Sequence, residues 1–66
     1  MKEVLEKSLS FLSPKYREVL VLYYYEELSY QEIADVLHVP IATVGVRIKR
    51  GKEALLEQVK KTNYEL

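Results

Sequence analysis

Two helix-start signals, Ser29 and Pro40, stand eleven residues apart. That spacing leaves room for one short helix and a tight turn before a second helix begins. Ser29 is a favourable N-cap, and Glu32 three residues later completes a capping box, so a helix is predicted to start at Tyr30. Ile33 and Leu37 share one face of it, with the small Ala34 beside them. Leu37-His38-Val39 breaks the pattern, and Pro40 fits the first turn of a new helix, where its missing N–H costs nothing. Val44 and Ile48 then resume the apolar spacing. A small side chain at Ala34 lets the two helix axes approach closely where they cross.

The remaining chain supplies a frame for that unit. Leu5, Leu9 and Leu12 recur at helical spacing and predict a first helix from Lys2 to Ser10. Ser13-Pro14 reads as an N-cap with a first-turn proline and opens a second helix reaching Tyr25. The third helix is Tyr30 to Leu37, and the fourth runs from Pro40 to about Lys60, with Val44, Ile48, Leu55 and Val59 inward. No strand-like alternation, repeat or linker interrupts the series. The expected fold is all-α: four helices containing a helix-turn-helix in a single domain over residues 1–66. Its expected core is Leu12, Val19, Ile33, Ala34, Leu37, Val44, Ile48 and Leu55. Glu26-Glu27-Leu28 must turn the chain without glycine or asparagine, and a left-handed Glu27 there costs about 1 kcal/mol. Residues from Thr62 to Leu66 read as a frayed tail.

Size and composition narrow the function. A 66-residue chain buries about 60% of the surface it exposes when unfolded, and 48% hydrophobic content is ample for that core. Without cysteine, neither a disulfide framework nor a thiolate metal site is available. With one histidine, placed in a turn, and no clustered inward carboxylates, no nucleophile–base pair or metal centre can be assembled, so neither an enzyme nor a cofactor is expected. No apolar run approaches a membrane span and no signal-peptide pattern appears, which points to a cytoplasmic protein.

Net charge is zero, yet its distribution is not even. Residues 1–37 carry four basic against seven acidic side chains, whereas residues 38–66 carry six basic against three acidic. Four of those six, Arg47, Lys49, Arg50 and Lys52, cluster on the second helix of the central unit. In a helix-turn-helix that helix enters the DNA major groove, and a basic stripe along it suits phosphate contact. Lys49 and Arg50 extend the stripe, while Arg47 either binds a phosphate or forms an internal ion pair. Thr43 and Gln31 offer donors near two helix N-termini, where backbone N–H groups also favour phosphate. Tyr30 either touches the sugar-phosphate backbone or covers the helix entrance.

Several motifs together resemble the C-terminal region of bacterial RNA polymerase sigma factors (region 4), especially the extracytoplasmic-function group. They are Leu12-Ser13-Pro14-Lys15-Tyr16-Arg17-Glu18-Val19-Leu20, Leu28-Ser29-Tyr30-Gln31-Glu32-Ile33-Ala34, Thr43-Val44, and Arg47-Ile48-Lys49-Arg50-Gly51-Lys52-Glu53-Ala54-Leu55. The closing motif also separates the chain from the output domains of response regulators. The resemblance implies a non-catalytic role: docking on the flexible flap of the polymerase β subunit and reading the upstream (minus-thirty-five) promoter element. It implies a DNA surface built from Tyr30, Gln31, Ile41, Ala42, Thr43, Gly45, Val46, Arg47, Lys49 and Arg50. It also implies anti-sigma proteins as partners and a fragment of a longer sigma factor. Departures concentrate in the turn and the reading helix. His38 stands where a glycine is usual, Pro40 replaces a serine or threonine cap, and Gly45 presents no side chain to a base edge.

The run Val21-Leu22-Tyr23-Tyr24-Tyr25 holds more large apolar groups than one helix face can bury in so small a domain. This excess predicts a docking surface for a polymerase or anti-sigma helix, with weak homodimers when it is unoccupied. A module that chiefly docks proteins is therefore the competing reading.

Overall fold

The computed structural model describes residues 2–63, which form four α-helices and one π-helical turn. Helix α1 spans Lys2–Ser10, α2 Pro14–Leu20, the π-turn Val21–Tyr25, α3 Tyr30–Leu37 and α4 Ile41–Asn63. At 1.5 Å per residue, the 23 residues of α4 extend about 34 Å, close to the 39 Å long axis of the molecule. Helices α1, α2 and α3 all pack on this one helix. It is the spine of the domain.

Local chemistry explains most boundaries. The Ser29 hydroxyl accepts from the Glu32 N–H at 3.1 Å, and the Glu32 carboxylate accepts from the Ser29 N–H at 2.8 Å, so the capping box is complete. Leu28 and Ile33 hold the staple positions around that cap, Ile33 within the core and half-buried Leu28 packed against it. At the other end, His38 adopts a left-handed φ of 58°. Val39 N–H then reaches back to the Ala34 carbonyl at 3.2 Å, the six-to-one bond that closes a Schellman motif. Glu27, at φ 57°, makes the other left-handed turn and lets Leu28 N–H bond the Leu22 carbonyl.

The core comprises Leu9, Leu12, Val19, Leu20, Ile33, Ala34, Val44 and Ile48. Leu37 and Leu55, expected inside, are half-buried and pack on the margin of this cluster, Leu37 at the last position of α3 and Leu55 in the wall of an open apolar groove. Val59 is likewise half-buried. Leu9 and Leu20 take their places. Gly51 is also buried. A Cβ there would lie 3.2 Å from Leu20 Cδ1 and 3.4 Å from Tyr16 Cβ, so the missing side chain sets how closely α2 approaches α4.

Other boundaries differ from expectation. Helix two is not α-helical to Tyr25: after Leu20 it widens, with Glu26 N–H bonding the Val21 carbonyl five residues back. Ser13 stands at the N-cap of α2 in extended conformation, but its hydroxyl makes no cap bond. Only its carbonyl serves, accepting from the Tyr16 and Arg17 N–H groups. Pro40 lies just before α4 rather than in its first turn, and its carbonyl accepts from Thr43 and Val44. Helix α4 also runs on through Thr62 and Asn63; the rest of the expected frayed tail, residues 64–66, lies outside the described residues. Arg17 bridges the first corner, its guanidinium donating to the Ser10 carbonyl at 3.4 Å.

Candidate nucleic-acid interface

The orientation of α4 follows from its inward residues. Val44, Ile48 and Gly51, spaced i, i+4, i+7, are buried. Ala42, Val46 and Lys49 repeat the same spacing on the opposite side and are exposed. The first turns of α4 therefore present Ala42 and Val46 outward, Val46 being 52% exposed; Ile41, on the inward spacing before Val44 and Ile48, is 47% exposed because it stands at the open start of the helix. Lys49 and Arg50 follow on the same side, both exposed.

Beside this ridge a cleft of about 340 Å³ lies between α2 and α4, lined by Lys15, Tyr16, Ala42, Thr43, Val46, Arg47 and Arg50. Three cations thus meet at one opening, and Lys49 joins Arg50 in the adjoining hollow. Among the described residues none of Lys15, Arg47, Lys49 and Arg50 forms an ion pair, although the Lys15 ammonium lies 5.3 Å from the Tyr16 ring centroid and Glu53 shares the hollow of Lys49 and Arg50. Arg47 is half-buried as one wall of the cleft, not one half of an internal pair. Lys15 is the member of this set that the sequence does not announce. Its signal is tertiary: α2 must first settle on α4 through Gly51 before Lys15 stands near Arg50. Lys52, by contrast, turns away from the stripe and lines an apolar groove on another flank.

At the start of α3 the two candidate side chains, both exposed, already have neighbours within the chain. The Gln31 amide donates to the Asp35 carboxylate one turn along, at 3.1 Å. Tyr30 sets its ring edge-on to Tyr23, with centroids 5.5 Å apart. A Cβ at Gly45 would lie 3.7 Å from that ring. The Tyr30 ring thus lies against the start of the helix pair while staying 38% exposed, and half-buried Gly45 faces it rather than standing open on the ridge.

The expected docking run divides in two. Val21, Leu22 and Tyr23 are half-buried, and Leu22 and Tyr23 pack against the core, so these three do not form an exposed face. Tyr24 and Tyr25 remain exposed. They border a groove of about 610 Å³ whose other walls are Leu5 and Leu9 of α1, Leu20 of α2, and Lys52, Leu55, Leu56 and Val59 of α4. Leu56, 55% exposed, has no sequence signal for this place, because only the tertiary fold sets it beside the tyrosines.

Comparison with known proteins gives this arrangement its relatives. The model of the family described as "Sigma-70, region 4" matches residues 2–55. Over 60 residues the chain is 42% identical to the ECF RNA polymerase sigma factor SigW of Bacillus subtilis (strain 168), covering 91% of this chain and 32% of the relative. Over 61 residues it is 39% identical to the ECF RNA polymerase sigma factor SigE of Mycolicibacterium smegmatis (strain ATCC 700084 / mc(2)155), covering 92% of this chain and 24% of the relative. For the ECF RNA polymerase sigma factor SigM of Bacillus subtilis (strain 168) the identity is 36% over 55 residues, covering 83% and 34%. The chain spans about a third or less of the length of these curated relatives.

Proposed function

The chain belongs to the sigma-70 region 4 family, in its extracytoplasmic-function group, and from that premise we propose that it reads the upstream (minus-thirty-five) promoter element with α4 while docked on the β flap of RNA polymerase. The observation that carries the reading is the set of cations Lys15, Arg47, Lys49 and Arg50, none of them in an ion pair among the described residues, bordering the outward ridge of α4. A helix presented this way fits the major groove, and cations beside it fit the phosphates that flank the groove. The apolar groove between α1, the π-turn and α4 suits a polymerase helix, with Lys52 at hand for an acidic residue on it.

Titration of labelled promoter duplexes with the full chain, over a series of salt concentrations and with or without purified β flap, tests both halves. We expect salt-steep DNA binding and a ternary complex with the flap. Replacing Lys49 and Arg50 by alanine should lower the log–log salt slope by about 0.9 for each phosphate no longer engaged, with similar weakening on every sequence. Absence of DNA binding at low salt overturns the reading. A second reading, a docking module held chiefly by an anti-sigma protein, draws on the same groove. It predicts tight partner binding with DNA affinity indifferent to sequence.

A further inference from the structure

Inside its border of cations, the outward ridge of α4 is apolar. Ala42 and Val46 stand one turn apart on the exposed side, and Ile41, exposed at the first position of the helix, lies on the flank of that ridge. None of the three carries a hydrogen-bond donor or acceptor on its side chain. Gly45 adds no side chain, and Thr43 is half-buried where Ala42 and Val46, which share its cleft, are exposed. The helix segment that meets base edges in a helix-turn-helix therefore offers mainly methyl groups there. On the major-groove edges of the four bases, the thymine C5-methyl is the one apolar group.

We propose that this chain selects its DNA element chiefly through thymine methyl groups packed against Val46 and Ala42, with Ile41 at the flank. The cations hold register on the phosphates, and the methyl contacts supply the sequence preference. This rests on the DNA-reading role proposed above. Burying one methyl contributes about a fourfold preference, so discrimination is modest at each position and accumulates over two or three thymines. Cytosine lacks the methyl, and 5-methylcytosine restores it without restoring the thymine hydrogen-bond pattern.

The test begins with selection of binding sequences from a random duplex library by the full chain assembled with core RNA polymerase. Thymines in the selected duplex are then replaced one at a time by uracil, which differs only by the missing methyl. One or two positions should lose about fourfold in affinity, while the others remain unchanged. At one of them Val46→Ala should bring the thymine-to-uracil ratio close to one; the residue is exposed and alanine favours helix, so the fold is kept. Lys49→Ala should weaken the thymine and uracil duplexes alike. Equal affinity for thymine and uracil at every position overturns the proposal, as does a ratio that Val46→Ala leaves intact. Failure of the selection to enrich any sequence overturns instead the DNA-reading role on which the proposal stands.

Discussion

Glu27 and His38 hold left-handed backbone without being glycine, and each turn places one end of α3. Histidine visits this region more readily than glutamate does. Glu27→Gly should therefore raise stability by at most about 1 kcal/mol, because glycine's unfolded-state entropy offsets part of the relief, and His38→Gly by less, because histidine has less strain to relieve. Thermal unfolding checks the order: about 1 kcal/mol corresponds to roughly 4–8 °C in a domain this small. Equal shifts, or a fall for Glu27→Gly, would show that the strain is relieved elsewhere. Ser8 carries a different cost. Its hydroxyl is fully buried and has no hydrogen-bond partner. Removing such a group recovers a desolvation penalty of about 1–3 kcal/mol, so Ser8→Ala should raise the denaturant midpoint with an unchanged m-value. None of Glu27, His38 and Ser8 lines the cationic cleft or the hollow beside it.

Among the elements, α4 depends on one missing side chain. Gly51 lies against Leu20 and Tyr16 at distances that leave no room for a β-branched residue. Gly51→Val should overpack this crossing and cost about 1–3 kcal/mol, measured by chemical denaturation. It should also displace Lys15 from Arg50 and weaken DNA binding beyond the stability loss. What is legible in the sequence follows the range of the interaction involved. Ser29 and Glu32 act on each other within one turn, so the start of α3 and the helix pair around His38 can be read directly. The inward positions Val19, Ile33, Ala34, Val44 and Ile48 follow helix periodicity and are legible for the same reason. The widening at Val21–Tyr25 is not, because Leu22 and Tyr23 reach the core only by packing on elements distant in sequence. Lys15 and Leu56 are hidden likewise. Neither carries a local signal, and each acquires its setting only when α1 and α2 settle on α4.

The whole molecule places its two surfaces along one helix. Residues 41–50 of α4 carry the ridge and its cations, while residues 52–59 carry their side of the apolar groove. A net charge of zero is thus compatible with a nucleic-acid face, since charge is segregated by surface and not by total. Residues at separate surfaces with no shared partners have nearly additive effects, so the two activities should be separable by mutation. Leu56→Ser removes an exposed apolar side chain from the groove and should weaken β-flap binding by about 1–2 kcal/mol, roughly 5–30-fold, with little effect on stability. Tyr25→Ser should act in the same direction. Tyr23→Ser is a poor probe, because that ring packs on the core and against Tyr24 and Tyr30. The Lys49→Ala, Arg50→Ala double variant should do the reverse, losing DNA affinity while holding the flap. Combining it with Leu56→Ser should give each loss undiminished. The flap and DNA titrations, run on all three variants, decide the matter: parallel loss of both activities in Leu56→Ser would place the groove in the DNA-reading machinery, and full flap binding would remove it from the polymerase interface.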